Sequence, residues 1–305
     1  MSFSRRPLWQ YPLFQIPLLF LGGFLVLAAL FWLFGLGRPQ VNVAIALDLS
    51  YSTYSSEFNE PGSIMNQEVQ AVEAYLEQNA SGILRRPNQV QVFGFGGLLK
   101  PLTGSFNGNS QQVKQELNQA LKTPGIDQQI LPNSTNLSLA IQGTTERLAQ
   151  IEQGCRELLL VTDGQGEVSP SAVGEALRHN VRINAVVVGA EAPALQAASL
   201  VTRGIYLGQG EASQLDLLFR DRLFAHINTN LKWILLWLAC AWVALMWLLV
   251  MPLDRWIFQD LFKFKMNTSG QLALGNAFFW TAATPGILWK ISNLLDLALP
   301  FFSGC

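Results

Sequence analysis

The sequence predicts an α/β domain with a doubly wound, mostly parallel sheet and one antiparallel edge strand, flanked by transmembrane helices. Three observations carry this. Short runs such as "ELLLVTD" and "INAVVVG" are apolar without alternation, as in parallel strands covered on both faces. Segments with apolar residues at helical spacing separate them, and strand–helix–strand alternation marks a doubly wound sheet. On either side lies an uncharged apolar run of about 20 residues, the length that spans a bilayer core.

The first element is an anchor, residues 1–38. No charge occurs between Pro7 and Gly37, and Arg5-Arg6 precede the run. A cleaved signal peptide has a shorter apolar core of ~7–15 residues and a small-x-small cleavage site. "GLGRPQ" supplies no such site, so the anchor reads as uncleaved. The domain follows, over residues 39–228. Its strands are 41–47, 90–95, 157–161 and 181–188. Its helices are 63–79, 110–121, 137–151 and 170–179. The first helix starts after Pro61-Gly62 and sets Val69, Val72, Tyr75 and Leu76 on one stripe. "VQVFGFGGLLKPL" reads as a hairpin and supplies the antiparallel edge.

A last helix, from Ser213 to about Asn228, runs toward the second span without proline or glycine. That span, within residues 229–253, carries four tryptophans, and those near its ends suit a membrane interface. Residues 254–305 form a membrane-associated helical region. "DRWIFQDLFKFK" alternates apolar and charged residues, as in a helix lying on a membrane surface. Residues 272–302 are apolar but interrupted by Pro285-Gly286, Lys290 and Asp296, and read as an interfacial or re-entrant helix pair or as a surface that packs on partner subunits, with peripheral membrane attachment favoured over a third span. Arg5 and Arg6 favour a cytoplasmic N-terminus. Two spans return the C-terminus to that side, and the domain then faces the periplasm, a lumen or the exterior.

Composition narrows the function classes. Of 305 residues, 50% are hydrophobic and 13% charged, which points to a membrane. A net charge of −1 gives no surface for nucleic acid. Cys155, Cys240 and Cys305 form no C-x-x-C pair, and only two histidines occur, so neither a zinc site nor a disulfide framework is implied. His179 and His226 have no evident serine or cysteine partner, and no catalytic residue is assigned.

In an open α/β sheet, ligands gather outside the carboxyl ends of the strands. Asp48 ends "VAIALD" and Asp163 ends "LLLVTD". Ser50 and Ser52 follow Asp48 at a spacing of two, which in extended backbone aims both hydroxyls the same way. The loop "LPNSTNLSLA" offers Thr135 ahead of a helix. Taken alone, the first three read as a strand end with turn roles, and Thr135 as a helix cap. Together they are an all-oxygen set suited to a hard cation: Mg²⁺, with Mn²⁺ or Ca²⁺ as alternatives. Two carboxylates balance a divalent charge. Octahedral Mg²⁺, with about six ligands, leaves a place for an acidic group of a partner.

These residues resemble the von Willebrand factor type A (VWA) family. "ALDLSYS" fits its D-x-S-x-S signature, "NSTN" is similar to its threonine loop, and "LLLVTDGQGE" to its strand ending in T-D-G. The resemblance implies a Rossmann-like VWA fold with a metal-ion-dependent adhesion site (MIDAS). Ser50, Ser52 and Thr135 would contact the metal through hydroxyls, and Asp48 and Asp163 directly or through water. It implies capture of a protein partner's acidic residue, with no chemistry. Two departures are Tyr51 and Ser134, at places the family often gives to glycine; both would narrow the site. Spans on both sides resemble the bacterial Bat proteins, which implies links to other membrane-complex subunits or to a MoxR-type AAA+ ATPase system. The predicted partners are therefore protein and membrane lipid, and the predicted role is assembly or stability of a membrane complex. Two alternatives stay open. One is a structural subunit with a vestigial metal site. The other is a Mg²⁺-dependent phosphatase-like hydrolase, although the second acid such enzymes want two residues after Asp48 is here Ser50.

Overall fold

The structure is a computed structural model that describes residues 7–50, 53, 62–80, 87–123, 125–126, 130, 135–188, 191–208 and 230–294. Two compact units emerge: Met1–Arg38 with Asn230–Gly304, and Pro39–Thr229. Helix α1 (Pro12–Phe34) belongs to the first. The second unit contains, in order, β1 (Val41–Asp48), α2 (Ile64–Ala80), β2 (Gln89–Phe95), β3 (Leu99–Pro101), α3 (Ser110–Leu121) and α4 (Leu137–Ala149). There follow β4 (Cys155–Thr162), α5 (Pro170–Arg178), β5 (Val181–Val187), α6 (Pro193–Val201) and β6 (Tyr206–Leu207).

The strands form one sheet in the order β3-β2-β1-β4-β5-β6, parallel except for β3 at one edge. β1 is central because its side chains are buried on both faces along its whole length. Alternation divides them: Val41, Val43, Ile45 and Leu47 enter the core layer shared with Val72 and Tyr75 of α2 and Leu117 of α3. Ala44 and Ala46 enter the opposite layer, with Ile141 of α4, Ala172 of α5 and Leu195 of α6. Sequence order reverses beside β1, which has β2 on one flank and β4 on the other. That is the topological switch point where such sheets open a crevice at their carboxyl ends.

The anticipated strands and four helices stand within a few residues of their expected bounds, and the hairpin gives the antiparallel β3. The stripe of α2 is rotated from expectation: Met65, Glu68, Ala71, Val72, Tyr75, Leu76 and Asn79 are buried, and Val69 only partly. α6 and β6 were not anticipated. Cys155 is buried and disulfide-bonded, where the sequence implied no disulfide framework. The helix expected at 213–228 lies outside the described residues.

In the helical unit, α7 (Leu231–Leu248) continues through Val250–Pro252 into a π-helical stretch, Leu253–Leu261. α1 and the run Leu231–Leu261 are both long and apolar enough to cross a membrane. Phe31 packs on Trp233 and Trp237 at ring distances of 5.9 and 5.8 Å. The Asn230 side chain donates hydrogen bonds to the carbonyls of Phe31 (2.6 Å) and Leu36 (2.9 Å), satisfying groups at the end of α1 that have no partner within the helix. The C-terminal apolar region is a single helix, α8 (Met266–Leu294), and not a pair broken at Pro285-Gly286. Thr281 and Thr284 donate back to the carbonyls of Ala277 and Trp280, which adds bonds where Pro285 removes one. Trp280 and Phe278 of α8 pack against Trp242 and Trp247 of α7 at 5.2 and 5.1 Å.

Candidate metal site

β1 and β4 pair in register from Val41↔Cys155 to Leu47↔Val161, so Asp48 and Thr162 fall side by side at the strand ends. The Asp48 carboxylate is held at both oxygens. The Ser50 backbone N–H donates to Oδ1 at 2.9 Å, and the Thr162 hydroxyl donates to Oδ2 at 2.7 Å. Thr53 steadies the turn by donating its hydroxyl to the carbonyls of Asp48 and Ser50. Burial pushes the Asp48 carboxyl up to about 6, with the hydrogen bonds from Thr162 and Ser50 pulling down and the nearby Asp163 charge pushing up.

Asp163 follows β4 directly. Its Oδ1 accepts the Gln165 N–H at 2.9 Å, whereas Oδ2 is buried with no hydrogen-bond partner. Gly166 (φ +137°) lets the following loop pass close to Thr135, whose carbonyl oxygen would lie 3.5 Å from a Cβ placed there. The Thr135 segment is tied to the same end of the sheet by the Asn136 N–H, which donates to the Gly96 carbonyl just past β2. Asn136 caps α4 by accepting the Leu139 N–H at 2.9 Å. The helix therefore does not use Thr135 as its cap.

The pattern of the von Willebrand factor type A domain matches residues 42–204, just over half of the chain. The chain belongs to this family. No curated protein matches it in sequence. Among solved structures, the VWA chain is similar to an aerotolerance-related membrane protein from Bacteroides fragilis, at 14% identity and TM-score 0.46, covering 59% of this chain and 98% of that one. Protein BatB from Bacteroides thetaiotaomicron is similar at 16% identity and TM-score 0.46, covering 61% and 99%. Proximal thread matrix protein 1 of the mussel byssus, solved with zinc in its MIDAS motif, is similar at 14% identity and TM-score 0.43, covering 62% and 48%.

Of the VWA site residues expected from sequence, Asp48, Ser50, Asp163 and Thr135 lie at one end of the sheet; the first three are buried and Thr135 is half-buried. Ser52 and Tyr51 lie outside the described residues, as does Ser134. Two residues escaped the sequence reading. Thr162, one residue past the expected strand, orients Asp48. Glu68 is wholly buried on α2, and burial, then the charges of Asp48 and Asp163, push its carboxyl well above the usual range. Its signal in the sequence was an acid on the apolar stripe, three residues after Met65 and four before Val72.

Does this donor set fit a hard cation? Asp163 presents an unpartnered buried oxygen, and among the described residues no lysine or arginine pairs with Asp48 or Asp163. An all-oxygen, uncompensated acidic pair suits a divalent cation with hydroxyl and water ligands. Among the described residues, no three acidic, histidine or cysteine side chains group closely enough to hold a metal together. The hydroxyls and water must supply the remaining ligands.

Proposed function

We propose that the VWA domain captures a protein partner through a divalent cation, most simply Mg²⁺, at the carboxyl ends of β1 and β4. Asp48, Ser50, Ser52, Thr135 and Asp163 would hold it. The cation, when bound, supplies a Lewis-acid position that takes a carboxylate from the partner. The observation that carries this reading is the adjacent pair of buried carboxyls, one with an orphaned oxygen, with no basic side chain to neutralise it among the described residues. An uncompensated buried charge is expensive, and a cation removes the expense. Ser50, where a strand-end phosphatase would carry its second acid, favours binding over turnover. The two apolar helices would tether the domain at a membrane, with the N-terminus cytoplasmic, where the partner would be a subunit of a membrane complex under assembly.

The test is capture by the full-length protein in mild detergent, with Mg²⁺ or with EDTA, beside Asp163→Ala. The expected result is partner recovery with Mg²⁺ that is lost in EDTA and in the variant. Equal recovery in all three conditions would sink the metal-dependent reading. A second reading has its own support: Asp48 and Ser50 are almost wholly inaccessible, as in a site that serves only the fold. In that case the wild-type protein would bind no Mn²⁺ and would still assemble with its partners.

A further inference from the structure

Glu68 occupies a core position of α2. Met65 before it and Val72 and Tyr75 after it belong to the core layer that also holds Leu159 and Val161 of β4. By strand alternation Asp163 continues the phase of those two residues, toward the layer α2 covers. The Glu68 side chain has no solvent exposure, and neither carboxylate oxygen has a hydrogen-bond partner. A leucine would fill such a position at no polar penalty. Leaving a buried polar group unsatisfied is destabilising, the more so when it is charged.

Its environment says what it waits for. The charges it feels are those of Asp48 and Asp163. Both Glu68 oxygens and Asp163 Oδ2 are buried without hydrogen-bond partners. Among the described residues no basic side chain pairs with Glu68 either. The three acids do not stand close enough to ligate one ion jointly. Glu68 is thus placed to act at one remove, through water.

We propose that Glu68 is a positioning residue of the cation site, accepting hydrogen bonds from water bound to the cation that Asp48 and Asp163 hold. This rests on the cation reading above. Groups that orient the ligands of a metal typically change its affinity about 10–100-fold when removed.

The experiment titrates Mn²⁺ into the full-length protein in detergent by calorimetry, and records the electron paramagnetic resonance of bound Mn²⁺. Wild type is compared with Glu68→Gln, which keeps the shape, and Glu68→Met, which removes the polar group. The expected result is an affinity weakened about 10–100-fold in both variants and an altered Mn²⁺ spectrum, with metal-free melting temperatures no lower than wild type. Wild-type Mn²⁺ binding with unchanged affinity in both variants overturns the role of Glu68 and leaves the cation reading standing. A wild type that binds no Mn²⁺ overturns both. Metal-free variants that both melt well below wild type would show that Glu68 serves the fold, and would equally overturn the proposal.

Discussion

Glu157 near the start of β4 and Asp163 just past its end are both buried, and each has one carboxylate oxygen without a hydrogen bond, yet only Glu157 has a cation beside it. Glu157 has permanent company. The Asn184 side chain donates to its Oε2 at 2.9 Å, and Arg182 lies 3.7 Å from Oε1. Asn184 in turn accepts the Ile205 N–H at 3.0 Å, so the acid is built into the seam leading to β6. Asp163 has backbone N–H support on one oxygen and nothing on the other. Its neighbours Asp48 and Glu68 are acids as well. An acid that carries its own counter-groups is part of the scaffold. Acids that share a pocket without counter-groups are half of an interaction.

The strongest way to break this contrast is Asp48→Ala, set against Glu157→Gln. The first is expected to abolish Mn²⁺ binding, a loss of about 100-fold or more, since changes to groups that only orient a metal's ligands reach that size. The second is expected to leave binding unchanged. Calorimetry on the two variants decides it, and equal losses would erase the distinction between the ends.

Next in size is Glu157→Ala. It leaves Arg182 and Asn184 without their acid, and a loss of about 3 kcal/mol of folding stability is expected by denaturant titration. Arg182 keeps some solvent access, so a smaller loss would mean that it turns outward.

The pH dependence sharpens the comparison further. Burial pushes Glu157 up to about 7, against the pull of Arg182 and Asn184. A raised carboxyl binds its proton more tightly in the folded state. Its contribution is therefore full below about 4.5 and is lost as pH rises through about 7. Melting curves without divalent cation should show stability falling by about 2 kcal/mol between pH 5 and 8, and Glu157→Gln should flatten that fall. The slope that remains in the variant belongs to the carboxyl end of the sheet. A wild type with no slope at all contradicts the account.

The smallest effect is expected at Thr162→Val, which removes the hydroxyl that orients Asp48. Mn²⁺ affinity should weaken about tenfold with little change in metal-free stability. An unchanged affinity would mean that Ser50 is enough to hold Asp48 in place.

Much of the frame was legible because periodicity is local. Residues 41–47 and 181–188 announced buried strands, and Asn109, Asn136 and Ser169 begin α3, α4 and α5 as side-chain caps. β6 could not be read, since two residues carry no period and its pairing with β5 is tertiary. The pairing of Asp48 with Asp163 could be guessed from two strand ends. The part played by Thr162 could not, because it depends on which strand lies beside β1 and in what register. Glu68 does not stand out in the sequence because a helical stripe is recognised by its apolar members. An acid in a stripe is the more informative residue, since burying it demands a reason.

The bond from Asn230 to Phe31 joins residues 199 positions apart. The whole VWA domain is therefore made between the two halves of that contact. At a synthesis rate of about 5–20 residues per second, α1 exists for roughly 10–40 s before α7 follows it. Through that interval the first helix must persist without its aromatic partners Trp233 and Trp237, which its almost entirely apolar surface allows. The helical unit is completed after the domain, so an error in the domain would be committed before that unit is whole.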